Sequence, residues 1–267
     1  MIECVVNISE GRDARVLAQL AAACGRDLLD IHTDRDHNRS VFTLVGTDAP
    51  RRLARAAIDT IDLTTHQGVH PRLGVVDVVP FVPIDEPDAR ARVARDEFAQ
   101  WAGDELALPC FTYDEQCTLP EVRRRAFVDL MPALGPSHPH PTAGACAVGV
   151  RHVLVAYNVW LPGGHLELAR RIASAVRSNE VRALGLTVGD RVQVSMNLIA
   201  PNVVGPAQAF DAVASLARQA HIEPLGAELV GLLPASVLDS VDQRRWEELD
   251  LGRDRTIEYR LAHITEH

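Results

Sequence analysis

The chain has 267 residues, a formal net charge of −9 at pH 7, 47% hydrophobic residues and 24% charged residues. That length can bury a sizeable core and suits two small domains. The acidic balance, with no long basic stretch, excludes general nucleic-acid binding, which needs a phosphate-neutralising surface. No apolar run approaches about 20 residues, so no membrane span is expected. The opening MIECVVNISEGRD lacks the basic flank and apolar core of a signal peptide and reads as a first strand, so a cytoplasmic protein is expected. Every basic side chain among the 27 Lys and Arg positions is arginine. Schiff-base and P-loop chemistry, which require lysine, are therefore excluded. No G-x-G-x-x-G follows the first strand, which argues against an ordinary dinucleotide enzyme. Five cysteines without a C-x-x-C pair predict reduced, mostly buried thiols rather than a disulfide framework or a thiolate zinc site.

In chain order, Ile2 to Ser9 alternates, with Ile2, Cys4, Val6 and Ile8 on one face and Glu3, Val5, Asn7 and Ser9 on the other: a half-buried strand. Ala14 to Cys24 reads as a helix, Leu28 to Ile31 as a strand, TDRDHNR as a polar turn and Val41 to Val45 as a third strand. Pro50 to Leu63 is expected to be helical, followed by a histidine loop and a strand from Val75 to Val82. Asp88 to Leu106 reads as a long helix and Cys110 to Tyr113 as a short strand. An elaboration ends in the turn-rich GPSHPHPTAG, and a strand from His152 to Val159 closes the half. The boundary is placed near Pro162-Gly163-Gly164, giving domains 1–162 and 163–267. Beyond it come a helix from Leu166 to Val176, strands Val181 to Val188 and Arg191 to Leu198 joined at Gly189-Asp190, a helix from Ala207 to Ala220, and a strand from Ile222 to Leu232. Val237 to Leu249 is expected as helix, and Thr256 to Leu261 as a last strand or a tail. The order in each half is the split βαβ pattern, so the expected class is α+β, two ferredoxin-like sandwiches.

The densest chemistry lies in His66 to Pro83, HQGVHPRLGVVDVVPFVP. Imidazole suits proton transfer near neutral pH, and a loop feeding a strand is a common place for an active site. His66 and His70 have the spacing of H-E-x-x-H, but the Glu is absent, Gly68 intervenes and Pro71 follows, so a helical zinc motif is rejected. His66 reads as a loop histidine bonding nearby carbonyls. His70, biased toward an extended conformation by Pro71, reads as a general base. Asp77 is one candidate to orient it, or else caps a turn or points outward. Arg39, Arg72 and Arg151 could each clamp a carboxylate in a fork. Gly144 and Gly149 permit close backbone approach to a flat ligand. Gln193, Ser195 and Asn197 give the second half a polar strand face like that of Asn7 and Ser9; each such face is either solvated or turned toward a heterocycle. Asp30, Asp34, Asp36 and His37 lack the glycine and terminal glutamate of a calcium loop and read as a polar turn.

With ECVVNISEGR, LLDIHTDRDHNRSVFTLVG, the histidine stretch, HPTAGACAVGVRHVLVAYNV, QVSMNL and GAELVGLLP in order along it, the chain resembles the formiminotransferase domain of glutamate formimidoyltransferases and formiminotransferase-cyclodeaminases. The resemblance implies a folate groove between the two sandwiches, a homodimer, and transfer of a formimino group from N-formimino-L-glutamate to tetrahydrofolate as co-substrate. It implies no metal, no nucleic-acid or membrane partner, and His70 as the base. It also implies a folate-binding stretch at Gly144, Ala145, Cys146, Ala147, Val148, Gly149, Val150, Arg151, His152 and Val153. With Arg39, Arg72, Gln193 and Asn197 added, these are the expected substrate and folate contacts. The chain departs from the family at His32, where some members carry an acidic residue. It departs again at Ala200 and Gln208, where the family usually has an acidic residue and a histidine. The alternative reading is a diverged member that binds folate without this transfer, or with another donor.

Overall fold

The computed structural model describes residues 1–68, 72–84 and 87–264. They divide into two compact units, one made of Met1–His152 together with Ile264, the other of Val153–His263.

The first unit opens β1(Ile2–Ile8), α1(Ala14–Cys24), β2(Leu28–Asp34), β3(Arg39–Val45), α2(Ala49–Thr60), β4(Val76–Pro83). It continues with α3(Asp88–Leu106), β5(Cys110–Tyr113), α4(Leu119–Arg125) and β6(Cys146–Val150). Helix α1 starts where the Asp13 carboxylate accepts the N–H groups of Arg15 and Val16. It stops at Gly25, whose positive φ of 61° ends the helical path. The sheet order is β2-β3-β1-β4-β6-β5, with β1 antiparallel to β3 and β4, and β6 parallel to both β4 and β5. Cys4, Val6, Ile8, Phe42, Leu44, Phe81, Cys146 and Val148 form one core with Leu20, Leu53 and Phe98 from α1, α2 and α3. Each large apolar side chain buried there contributes roughly 1.5–3 kcal/mol. Near β5 and β6 a smaller cluster joins Val78, Phe111, Tyr113 and Ala147 to Val122 of α4.

Strand β6 was not expected from the sequence. CAVGV does not alternate because all five residues are buried, the pattern of a strand covered on both faces.

The second unit runs β7(Val155–Leu161), α5(Leu166–Val176), β8(Val181–Val188), β9(Arg191–Leu198), α6(Pro206–Gln219), β10(Gly226–Val230), α7(Ala235–Asp239) and α8(Ile257–Ala262). Its sheet order is β10-β7-β9-β8, all antiparallel. Numbered within each unit, the first four strands of the first sheet and the four of the second follow the ferredoxin-like arrangement, with the first and third strands in the middle. The β8–β9 hairpin turns at Gly189, whose φ is 59°, with Val188 opposite Arg191.

Several expectations change. The strand expected to close the first half is Val155–Leu161, and it lies in the second sheet, because its hydrogen-bonding partners are β9 and β10. The boundary between the units accordingly falls at His152/Val153, ahead of Pro162-Gly163. Residues 257–262 form a helix, α8, begun by the Thr256 hydroxyl accepting the Tyr259 N–H, rather than a strand. Val237 to Leu249 is not one helix: α7 ends at Asp239 and a single 3-10 turn, Gln243–Arg245, follows. Strand β10 is shorter than Ile222 to Leu232. Side chains close its outer edge, a common protection for an edge strand. The Leu229 N–H donates to Asp250 at 2.8 Å, and Arg255 donates to the Leu229 carbonyl at 2.7 Å. Among the described residues no helix is long and apolar enough to cross a membrane.

Candidate active site

His70, the expected base, lies outside the described residues, as do Val69 and Pro71. The segments that enter and leave its loop are held by a dense set of bonds, and these define the site in the first unit.

On the entering side, the His66 Nε2–H donates to the Asn38 carbonyl at 3.1 Å, and Arg72 donates to His66 Nδ1. These two bonds fix a neutral imidazole with its proton on Nε2. Burial, and then the positive charge of Arg72, push its pKa below the usual histidine value. Arg72 also donates to the Gly68 carbonyl at 2.6 Å. The Asn38 side chain completes the tie, accepting from the Gly11 N–H and donating to the Gln67 carbonyl, each at 2.9 Å. Asn38 has a positive φ of 49°. Asparagine tolerates that conformation better than most residues.

Close by, Asp34 accepts from the N–H groups of Asp36 and His37, and its other carboxylate oxygen lies 2.9 Å from His37 Nδ1. Burial raises this carboxyl, but the His37 side chain and the backbone bonds outweigh it and hold its pKa at about 2. Arg39 donates to Asn7 Oδ1. Burial lowers the Arg39 pKa to about 10, with Asp77 opposing that shift.

On the leaving side, Leu73 to Val75 pack directly on the turn His140 to Ala145. The Ala145 N–H donates to the Leu73 carbonyl at 3.0 Å and the Val75 N–H to the Ala143 carbonyl at 2.9 Å. Gly144 has a positive φ of 72°, and a Cβ there would collide with the Leu73 carbonyl oxygen. His140 Nδ1 accepts the Thr142 and Ala143 N–H groups and so holds this turn. Asp77, buried at the start of β4, accepts the Leu73 N–H at 2.6 Å and a two-pronged bond from Arg123 at 2.6 and 3.3 Å.

The expected contacts are thus placed unevenly. Arg39, Arg72 and Gly144 gather around the His70 loop. Arg72 commits donors to the loop itself, at His66 and Gly68. Arg151 follows β6 at the end opposite Gly144. The side chains of Cys146, Val148 and Val150 are in the core on the α1–α3 side, while Ala145 and Ala147 join the smaller cluster under α4. Gly149 leaves room for the Tyr113 ring, His152 is exposed beside Glu115, and Val153 begins the second unit.

In the second unit Asn197 is exposed. Gln193 is 1% exposed, and neither amide atom has a hydrogen-bond partner among the described residues. Gln208, at a departure from the family pattern, accepts the Gly205 N–H at 2.9 Å and so caps α6. Sequence reasoning offered Asn7 as part of a polar strand face, and missed Asn38 and Arg123 as parts of the site. The DHNR turn carries a signal for Asn38 in its tolerance of positive φ; nothing local marks Arg123, 46 residues from Asp77.

Chemically, the cluster combines guanidinium groups suited to carboxylates with well-bonded segments, Gln67–Gly68 and Leu73–Val75, on either side of the expected base. Buried Cys4, Cys110 and Cys146 are pushed well above their usual pKa by burial, Cys110 to about 12, and supply no nucleophile. Among the described residues, no group of three or more His, Cys, Asp or Glu side chains is placed to hold a metal ion.

The model of the formiminotransferase domain, N-terminal subdomain, matches residues 1–151, and that of the formiminotransferase domain matches residues 156–247. The chain is 36% identical over 273 residues to a glutamate formimidoyltransferase of Streptococcus pyogenes, covering 90% of this chain and 91% of the relative. It is 34% identical to a glutamate formimidoyltransferase of Thermoplasma acidophilum, covering 90% of each. It is 32% identical to the formimidoyltransferase-cyclodeaminase of Dictyostelium discoideum, over 98% of this chain and 56% of that relative. Two ferredoxin-like units, the Leu73–Val75 segment bonded to the HPTAG turn, and these matches across nearly the whole length converge on one conclusion: the chain belongs to the formiminotransferase family.

Proposed function

We propose that this protein is an enzyme transferring the formimino group of N-formimino-L-glutamate to tetrahydrofolate. The observation that carries the reading is similarity to glutamate formimidoyltransferases over 90% of the chain. Its support in the geometry is the cluster of Arg39, Asn7 and Asp77 beside the loop that bears His70.

The reaction joins a secondary amine nitrogen of the reduced pterin to the amidine carbon and breaks the bond from that carbon to the glutamate nitrogen. The attacking nitrogen loses a proton and the departing nitrogen gains one. His70 takes the first proton and returns it to the leaving group, a role within reach of an imidazole whose ordinary pKa is about 6.5. Arg39, paired with Asn7 in a desolvated setting, holds a substrate carboxylate. The turn at Gly144 brings backbone close to the flat pterin. Arg151 and His152, at the far end of β6, suit the glutamyl tail. In the second unit, Gln193 and Asn197 are the residues assigned to folate. The reading extends to a homodimer and a cytoplasmic location; sizing of the purified protein tests the dimer.

The test is a turnover assay with N-formimino-L-glutamate and tetrahydrofolate. His70→Ala should lower kcat by about 10²–10⁴-fold, the usual contribution of a general base. Full activity in His70→Ala would remove His70 from the mechanism, and no turnover by the wild type would remove the proposed reaction.

A further inference from the structure

Asp77 occupies an irregular position in the sheet. Along β4, Val78 lies opposite Asn7 and Val76 lies opposite Ile8, so Asp77 has no residue facing it on β1. It is the extra residue of a β-bulge, a device that re-aims a side chain and recurs beside active sites. The bulge sends its carboxylate to two places at once, the Leu73 N–H and the Arg123 guanidinium. Its side chain is 2% exposed.

A buried ion pair is weak evidence for stability, since well-packed apolar residues often serve as well. What distinguishes this pair is where it acts. Between Leu73 and Val75 the backbone is held nearly group by group. The Leu73 carbonyl accepts from the Ala145 N–H and the Gly74 carbonyl from the Ser9 hydroxyl at 2.8 Å. The Val75 N–H donates to the Ala143 carbonyl, and the Val75 carbonyl accepts from the Ser9 N–H. Of these groups the Leu73 N–H is nearest in sequence to His70, and its partner is a charged side chain. Arg123 comes from α4, where the neighbouring Val122 is anchored among Phe111, Tyr113 and Val78.

We propose that the Asp77–Arg123 pair is a positioning element for the reaction, fixing the backbone just after His70 so that the imidazole is presented in a productive place. The pair touches no substrate and acts through the loop. The inference rests on the proposed role of His70. Small displacements of a reacting group carry large rate penalties, on the order of 10²-fold for about 1 Å.

The experiment compares Asp77→Ala, Asp77→Asn, Arg123→Met and the half-exposed control Arg125→Gln, using steady-state kinetics well below each melting temperature and amide hydrogen exchange over residues 66–75. Asparagine keeps an oxygen acceptor for the Leu73 N–H. Asp77→Asn should therefore retain kcat within about fivefold, while Asp77→Ala and Arg123→Met lose at least about tenfold, with KM for both substrates within about twofold of wild type. Exchange at Leu73 should accelerate in Asp77→Ala and not in Asp77→Asn, and Arg125→Gln should match wild type throughout.

A lowered melting temperature with unchanged kcat would reduce the pair to a structural contact and overturn the proposal. Unaltered Leu73 exchange in Asp77→Ala would do the same. If Asp77→Ala does not fold, Arg123→Met and Asp77→Asn decide by the same criteria. A wild type without turnover would count against the proposed reaction, and the exchange measurement would then decide by itself whether Asp77 holds the loop.

Discussion

His66 donates from Nε2 to the carbonyl oxygen of Asn38, across 28 residues of sequence, while its other ring nitrogen accepts from Arg72. Protonating the ring would cost it the bond from Arg72. Its pKa is accordingly lowered by burial and by that arginine. The folded value lies below the unfolded one of about 6.5, so the unfolded chain binds the proton first as pH falls. The stability associated with His66 is present above about pH 6.5 and is lost as pH drops through the lower folded value. Urea melts from about pH 7.5 down to about pH 5 should show this loss in the wild type and a smaller slope in His66→Gln. An identical slope in both would mean the imidazole is not held neutral.

Gly144→Ala places a Cβ against the Leu73 carbonyl and asks alanine to adopt a φ of 72°. Gly164 has a similar φ of 82°, but nothing lies within 4 Å of the place its Cβ would take. Gly164→Ala should therefore cost about 1–2 kcal/mol from the backbone alone. Gly144→Ala should cost more and also depress turnover, because the collision pushes on the segment leaving the histidine loop. Thermal melts and kinetics of the two variants check this, and equal effects would contradict it.

Gln193 carries two buried amide atoms without partners among the described residues. Such groups cost about 1–3 kcal/mol when unsatisfied. Gln193→Leu should raise the melting temperature. If the amide contributes to the proposed folate site, the same variant should weaken tetrahydrofolate binding by calorimetry. A more stable variant with unchanged affinity would leave Gln193 out of the site.

Gln208 has a different assignment. Its side-chain oxygen accepts the Gly205 N–H and caps the first turn of α6. Gln208→Ala should therefore destabilise the protein by about 1 kcal/mol. Turnover measured below the melting temperature should not change. A large fall in kcat with no change in melting temperature would return Gln208 to the chemistry.

Much of the fold is legible locally. The bounds of α1, α3, α5, β5, β8 and β9 follow from the spacing of apolar side chains and from turn residues such as Gly189-Asp190, because those signals depend only on neighbours within a few residues. The histidine loop is legible too, as a concentration of imidazole and guanidinium between a helix and a strand. The structure places the side chains of Ala145, Cys146, Ala147, Val148 and Val150 in the cores, a distinction that sequence spacing does not draw.

By itself, then, the sequence determined the split βαβ order of the first half, the run of α5, β8, β9 and α6 that follows Val155–Leu161, and the polar character of the β9 face. Only the tertiary structure decided that CAVGV is a strand between β4 and β5, that Val155–Leu161 belongs to the second sheet, that Ile257–Ala262 is a helix, and that Asp77 meets Arg123 and Leu73. The reason is common to all of them. A run buried on both faces loses its periodicity, and a short apolar run takes its conformation from the surface it packs on. A bulged carboxylate, likewise, acquires its partner only when α4 folds over the sheet. Each outcome is fixed by contacts between residues far apart in the chain, and local pattern carries no record of them.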